Sequence, residues 1–129
     1  MGTQSDVLAG RRVLVIEDES LLVMLLEDFL ESIGCVVAGV ASGFQAALEK
    51  AQALSFDVAI LDVNLNGRQS FPIAETLVGR SLPFIFATGY GATTLPPSLQ
   101  GAPLLQKPFQ QRQLEQALRQ ALEGGAPAA

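Results

Sequence analysis

Histidine and tryptophan are absent from these 129 residues, and cysteine and tyrosine occur once each, as Cys35 and Tyr90. Without histidine, no Ser-His or Cys-His nucleophilic pair can form within the chain, and no histidine metal site. A lone cysteine excludes an internal disulfide framework and suits a reducing cytoplasm. The apolar setting "CVVAGV" makes Cys35 a buried structural thiol. Positive charge is also scarce: 8 Lys and Arg stand against 13 Asp and Glu, for a net charge of −5. No basic run exists, so nucleic-acid binding is not expected, because phosphate contacts need a basic face. No apolar stretch reaches the length of a membrane span, since Glu27, Asp28 and Glu31 interrupt the longest one. The start "MGTQSDVLAG" lacks the basic and apolar regions of a signal peptide, and with Asp6 after Ser5 it is a poor myristoylation signal.

What is present suits one globular domain. Hydrophobic residues make up 49% of the chain and charged ones 16%, enough to bury a real core. Two periods alternate. Runs at 11–17, 35–41, 56–62, 82–88 and, more weakly, 102–106 read as strands. Segments 20–34, 42–54, 71–80 and 110–123 read as helices. In the first helix, Leu21, Leu22, Leu25, Phe29 and Ile33 recur at the spacing of an inward face. Ser20 is the expected cap at its start and Gly34 its stop; Ser42 is the expected cap of the second helix. The stripe is wider than one core face needs, so part of it could instead dock a partner. The segment "GYGATTLPPSLQG" (89–101) stands where a fourth helix belongs, but its glycines and Pro-Pro pair allow only a short, broken or mobile helix, or a long loop. The pattern predicts an α/β fold: a doubly wound five-stranded parallel sheet with helices on both faces. Residues 1–10 and 124–129 are expected to be flexible ends around a domain at 11–123.

Ligands of such sheets bind beyond the carboxyl ends of the strands. There the sequence places Glu17, Asp18 and Glu19 after the first strand, Asp62 at the end of the third, Thr88 at the end of the fourth and Lys107-Pro108 after the fifth. Several carboxylates with loop carbonyls suit a hard cation such as magnesium (Mg2+). A hydroxyl and an ammonium facing the same pocket suit a phosphoryl group. Asp62, flanked by these groups, is the candidate nucleophile; already ionised, its oxygen needs no general base. Each piece has a plainer use. Asp18 or Asp62 could cap the following helix, Thr88 could satisfy a loop amide, and Lys107 could be a solvated surface lysine. Their joint occurrence decides for a site.

The order "VLVIEDE", "ILDVNLNG", "FIFATGY", "LLQKPF" resembles the receiver domain of bacterial two-component response regulators, from first strand to last helix. The resemblance implies Asp62 as phosphoacceptor, with Glu17, Asp18, Asp62 and the Asn64 backbone carbonyl as Mg2+ ligands. It implies Thr88 as the hydroxyl that bonds the phosphoryl group and Lys107 as the lysine that pairs with its oxygens, followed by Pro108. "LPFIFATGYG" (82–91) is similar to the stretch that defines the FAT GUY subgroup. That subgroup lacks the usual switch aromatic, whose position here is Leu104, and it is typically served by histidine kinases of the HWE or HisKA2 type. A substitute switch would have Thr88 act directly on the Gly/Pro-rich segment after it.

The expected function is therefore a stand-alone cytoplasmic phosphoacceptor receiver in a phosphorelay. It is not an enzyme beyond its own phosphotransfer and autodephosphorylation. It would pass phosphate onward or signal by protein contact to a phosphotransfer or output protein. The alternative is a pseudo-receiver adaptor that works without phosphorylation. A flavodoxin-like cofactor protein is disfavoured by the acidic "EDESLL" loop, and a P-loop nucleotidase by the missing glycine-lysine motif.

Overall fold

The computed structural model describes residues 6–89 and 95–126. Five apolar segments form one sheet: β1 (Arg12–Ile16), β2 (Val36–Ala41), β3 (Val58–Asp62), β6 (Phe84–Thr88) and β7 (Leu104–Gln106). Their order is β2-β1-β3-β6-β7, every pairing parallel. Between β3 and β6 lies a small antiparallel hairpin, β4 (Asn64–Leu65) and β5 (Arg68–Gln69). The helices are α1 (Ser20–Ile33), α2 (Phe44–Ala53), α3 (Phe71–Gly79) and α4 (Gln111–Gly124).

Because strand side chains alternate in direction, each central strand feeds two cores. Leu14, Ile16, Ala59, Leu61, Phe84 and Phe86 face α2 and α3, where Ala47, Ala51, Ile73 and Leu77 cover them. Val13, Val15, Val58, Ile60 and Ile85 face the other way, under Leu26, Leu30, Leu114 and Leu118 of α1 and α4. Helices thus cover both faces, as the alternation of periods predicts. Burying each of the Val, Leu, Ile and Phe side chains among these contributes about 1.5–3 kcal/mol against the entropy of ordering the chain. Chain order reverses between β1 and β3, and the loops leaving these two neighbours part to opposite faces. The crevice so formed lies at the carboxyl ends, beside Glu17 and Asp62.

Several local expectations are corrected. On α1 the buried residues are Leu26 and Leu30, with Leu22, Phe29 and Ile33 packed partly against the core. Leu21 and Leu25 point outward, 81% and 40% exposed. The inward stripe is turned about one residue from that drawn by periodicity, because a run of leucines at successive positions offers more than one face at helical spacing. Ser20 is the first helical residue of α1 rather than its cap; Glu19 takes that place with no side-chain cap bond. Gly34 does end the helix, in the left-handed conformation, donating its N–H to Leu30 and Glu31 carbonyls. Gly43, not Ser42, precedes α2.

Residues 6–10, expected within a flexible end, form a turn that buries Leu8 completely against the α1/α4 core. Arg119 of α4 pins the turn through Asp6 at 2.9 Å. Cys35 is buried, its thiol donating to the Leu8 carbonyl at 3.4 Å, and burial raises its pKa. Of the segment expected to supply a fourth helix, residues 90–94, Tyr90 included, lie outside the described residues. The rest contains one 3₁₀ turn, Pro97–Leu99, held by buried Leu99 and by Ser98 Oγ donating to Glu75 Oε2 at 2.9 Å. No helix among the described residues is long and apolar enough to cross a membrane.

Candidate functional site

Asp62 ends β3 at a buried position, so its carboxylate is presented where the sheet stops and the crevice begins. Two donors meet it. The Asn64 N–H donates to Oδ1 at 3.1 Å, and Lys107 Nζ donates to Oδ2 at 3.0 Å. Lys107 follows β7, two strands away, and reaches back across β6, whose Thr88 carbonyl accepts the Lys107 N–H at 2.8 Å. The Lys107–Pro108 peptide is cis. Thr88 is buried at the end of β6, one residue beyond Ala87, the partner of Asp62 in the sheet register. The residues expected at the strand ends therefore converge, and Lys107 is not a solvated surface lysine.

Glu17 and Asp18 complete the cluster from the β1 side. With Asp62 they offer three carboxylate oxygens within 4.8 Å of one another. Glu17 is 1% exposed; its Oε2 accepts the Glu19 N–H at 3.1 Å, and its Oε1 stands 3.0 Å from Lys107 Nζ. That Oε1 accepts no well-directed hydrogen bond, so its contact with the ammonium is ionic. Burial pushes the Glu17 carboxyl up to about 7, and the nearby Asp62 charge adds to this against the pull of Glu19 N–H and Lys107. Asp18 is more open: partial burial raises its pKa, but the Asn66 N–H at 3.0 Å and other hydrogen bonds outweigh it, and the net shift is downward. Burial opposes the charge on Lys107, yet Glu17 and Asp62 together raise its pKa and hold it protonated. Neither Asp18 nor Asp62 caps a helix: α1 and α3 are preceded by Glu19 and Ser70.

One ammonium does not neutralise three carboxylates, and a buried oxygen of Glu17 lacks a directed donor. An all-oxygen donor set with surplus negative charge fits a hard divalent cation such as Mg2+. Asn64 has its N–H on Asp62 and its side-chain Oδ1 on the Gly67 N–H at 2.7 Å. Its backbone carbonyl is the atom that the resemblance implies as the further protein ligand of a cation.

Sequence reasoning passed over three residues here. Asn66 and Gly67 are the turn of the β4–β5 hairpin, with φ of 52° and 84°. Asn-Gly between two short strands is a strong signal for such a turn and could have revealed it. Ser70 is fully buried, and its Oγ donates to the Asp62 carbonyl at 2.6 Å while its N–H donates to the Val63 carbonyl. It fixes the backbone from which the Asp62 side chain projects. No pattern in the sequence marks Ser70, because its partner is an atom every residue carries.

The family model of the response regulator receiver domain matches residues 13–119. Among solved structures, SdrG from Sphingomonas melonis Fr1 is similar at 39% identity and a TM-score of 0.78, over 88% of this chain and 97% of that one. The PhyR response regulator REC domain of Erythrobacter litoralis is similar at 30% identity and a TM-score of 0.76, over 96% of this chain and 99% of that one. A curated relative, the transcriptional regulatory protein PdtaR of Mycobacterium tuberculosis H37Rv, is 31% identical over 94 residues, 72% of this chain and 46% of its own length. The chain spans about half the length of the curated relatives it matches.

Proposed function

The chain belongs to the response regulator receiver domain family, and from that premise we propose that it accepts a phosphoryl group on Asp62 from a histidine kinase and signals through contact with other proteins. The observation that carries this reading is the Asp62 carboxylate, buried at a strand end with Lys107 Nζ at 3.0 Å and two further acids beside it. A purely structural aspartate gains nothing from such company, since burying like charges together is costly.

In the proposed reaction an Asp62 oxygen attacks phosphorus, a P–O bond forms, and the bond from phosphorus to the donor histidine nitrogen breaks. The electron pair of that bond stays on the leaving imidazole. No base is required on this chain, because the attacking carboxylate carries no proton. As charge moves from Asp62 to the phosphoryl oxygens, the Lys107 ammonium shifts its interaction to them, and the Thr88 hydroxyl donates to another. A magnesium ion held by Glu17, Asp18, Asp62 and the Asn64 carbonyl would offset the negative charge of the incoming phosphoryl oxygens.

"LPFIFATGYG", together with Leu104 at the usual aromatic position, supports the FAT GUY subgroup and hence an HWE or HisKA2 type kinase as donor. Leu104 is 48% exposed at the sheet edge, where its side chain has no ring to rotate inward. The receiver unit is residues 11–123, joined at its start by the Leu8 turn, and it works in the cytoplasm as a phosphorelay component rather than as an enzyme on a separate substrate.

The test is intact mass after incubation with acetyl phosphate and Mg2+, beside Asp62→Asn. Gain of one phosphoryl group by the parent alone supports the reading. A parent that stays unmodified with acetyl phosphate and with HWE and HisKA2 kinases alike would instead favour the phosphorylation-independent adaptor.

A further inference from the structure

The β4–β5 hairpin sits beside the acidic cluster, and only its first strand is anchored in the core. Leu65 is 1% exposed, whereas Asn66, Gly67, Arg68 and Gln69 are all exposed. Packing of Leu65 anchors the base of the hairpin, and polar tethers hold its exposed turn. Asn66 Nδ2 donates to the Ser42 carbonyl at 3.3 Å, and the Arg68 guanidinium lies 3.6 Å above the Phe44 ring centre. Both cross to the same place, the junction of β2 and α2. A third bond, Gly67 N–H to Asn64 Oδ1 at 2.7 Å, closes the turn on itself.

So tethered, the turn aims one group at the cluster: the Asn66 N–H, which donates to Asp18 Oδ2 at 3.0 Å. Asp18 is the least buried of the three acids and lies in the β1–α1 loop, outside any regular element. Its carboxylate direction depends on such a bond more than those of Glu17 and Asp62, which Lys107 already holds. Losing a group that orients a metal ligand typically costs about 10–100-fold in metal affinity or activity.

We infer that Asn66 is a positioning residue for Asp18. Its side chain, clamped to Ser42 with help from Arg68 on Phe44, holds the hairpin so that the Asn66 N–H fixes Asp18 and thereby sets the affinity of the cluster for a divalent cation. This rests on the reading of Glu17, Asp18 and Asp62 as a cation site. Asparagine suits the place twice over: it tolerates a φ of 52° and carries the amide that reaches Ser42.

Calorimetric titration of the 129-residue chain with Mg2+ tests the inference on the parent, Asn66→Gly, Asn66→Ala and Arg68→Ala. Asn66→Gly keeps the left-handed turn and removes only the tether, so it remains informative if Asn66→Ala fails to fold. The expected result is Mg2+ binding weakened about tenfold in Asn66→Gly and shifted the same way in Arg68→Ala. Phosphorylation by acetyl phosphate should then need more Mg2+ for half-maximal rate, yet return near the parental rate at saturation. Parental Mg2+ affinity in Asn66→Gly overturns the inference and leaves the cation site standing. So does a lower saturated rate with unchanged affinity, which would mark a merely structural role. A parent that binds no Mg2+ overturns the cation reading and this inference with it.

Discussion

Lys107 Nζ lies 3.0 Å from Asp62 Oδ2 and, at the same time, 3.0 Å from Glu17 Oε1. One ammonium is thus shared by two buried carboxylates that arrive on different strands, β3 and the end of β1. This sharing holds the charged groups together, and it defines the pocket into which a phosphoryl group would fit.

Lys107→Ala should lower the rate of phosphorylation by acetyl phosphate about a hundredfold, the usual cost of losing one donor to developing oxyanion charge. It should also destabilise the Mg2+-free chain by about 1–2 kcal/mol. A fully buried pair would lose more, but the Lys107 side chain is partly exposed and Glu17 can take up a proton. Urea denaturation with and without Mg2+ checks the second part, and the deficit should shrink when Mg2+ is present.

Stability should depend on pH through Glu17. Its folded pKa is about 7 against an ordinary 4.5, so between these values the folded chain holds a proton that the unfolded chain releases. Stability from this group is therefore greatest below about pH 4.5 and declines as pH rises towards 7, by on the order of 3 kcal/mol at most. Asp18 acts with the opposite sign, its lowered pKa costing stability only as pH falls below its ordinary 3.8. The two windows do not overlap. Urea midpoints measured without Mg2+ at pH 5 and pH 7.5 should thus be lower at pH 7.5, and equal midpoints would refute the shift.

Ser70→Ala removes the donor to the Asp62 carbonyl and leaves that buried oxygen short of a partner. The expected loss is about 1–3 kcal/mol. Because the bond orients the Asp62 backbone, phosphorylation should slow as well, which a stability defect elsewhere in the core would not cause in a fully folded sample. Thermal melts and intact-mass time courses measure the two effects.

The orientation of α1 separates two leucines one turn and a residue apart. Leu26→Ala should cost about 2–5 kcal/mol, since Leu26 is buried against the sheet. Leu21→Ala should change stability by no more than about 0.5 kcal/mol, since that side chain is 81% exposed. Similar losses at both positions would mean that the helix is turned differently.

The sequence by itself determined the order of the five sheet strands and four helices, the parallel sheet and the residues at the strand ends. Each of these follows from local pattern: β-branched runs such as "VLVI", helical spacing, and a charge closing an apolar run at Asp62. The strand order placed Glu17, Asp18, Asp62, Thr88 and Lys107 in one crevice, and the structure brings them there. What only the tertiary structure decided depends on partners far apart in the chain. Leu26 rather than Leu25 faces the core because the helix as a whole is set against β2 and α4, and a run of leucines cannot state its own rotation. Leu8 is buried, within a stretch that reads as a loose end, because α1 and α4 leave room for it and Arg119 holds the turn. The proton that Glu17 keeps near neutrality comes from burial and from Asp62, forty-five residues along the chain, brought near by the β1–β3 pairing. Ser70 and Asn66 act through backbone atoms, which no residue pattern can name in advance. Local pattern chose the elements, and long-range packing chose which of their atoms meet.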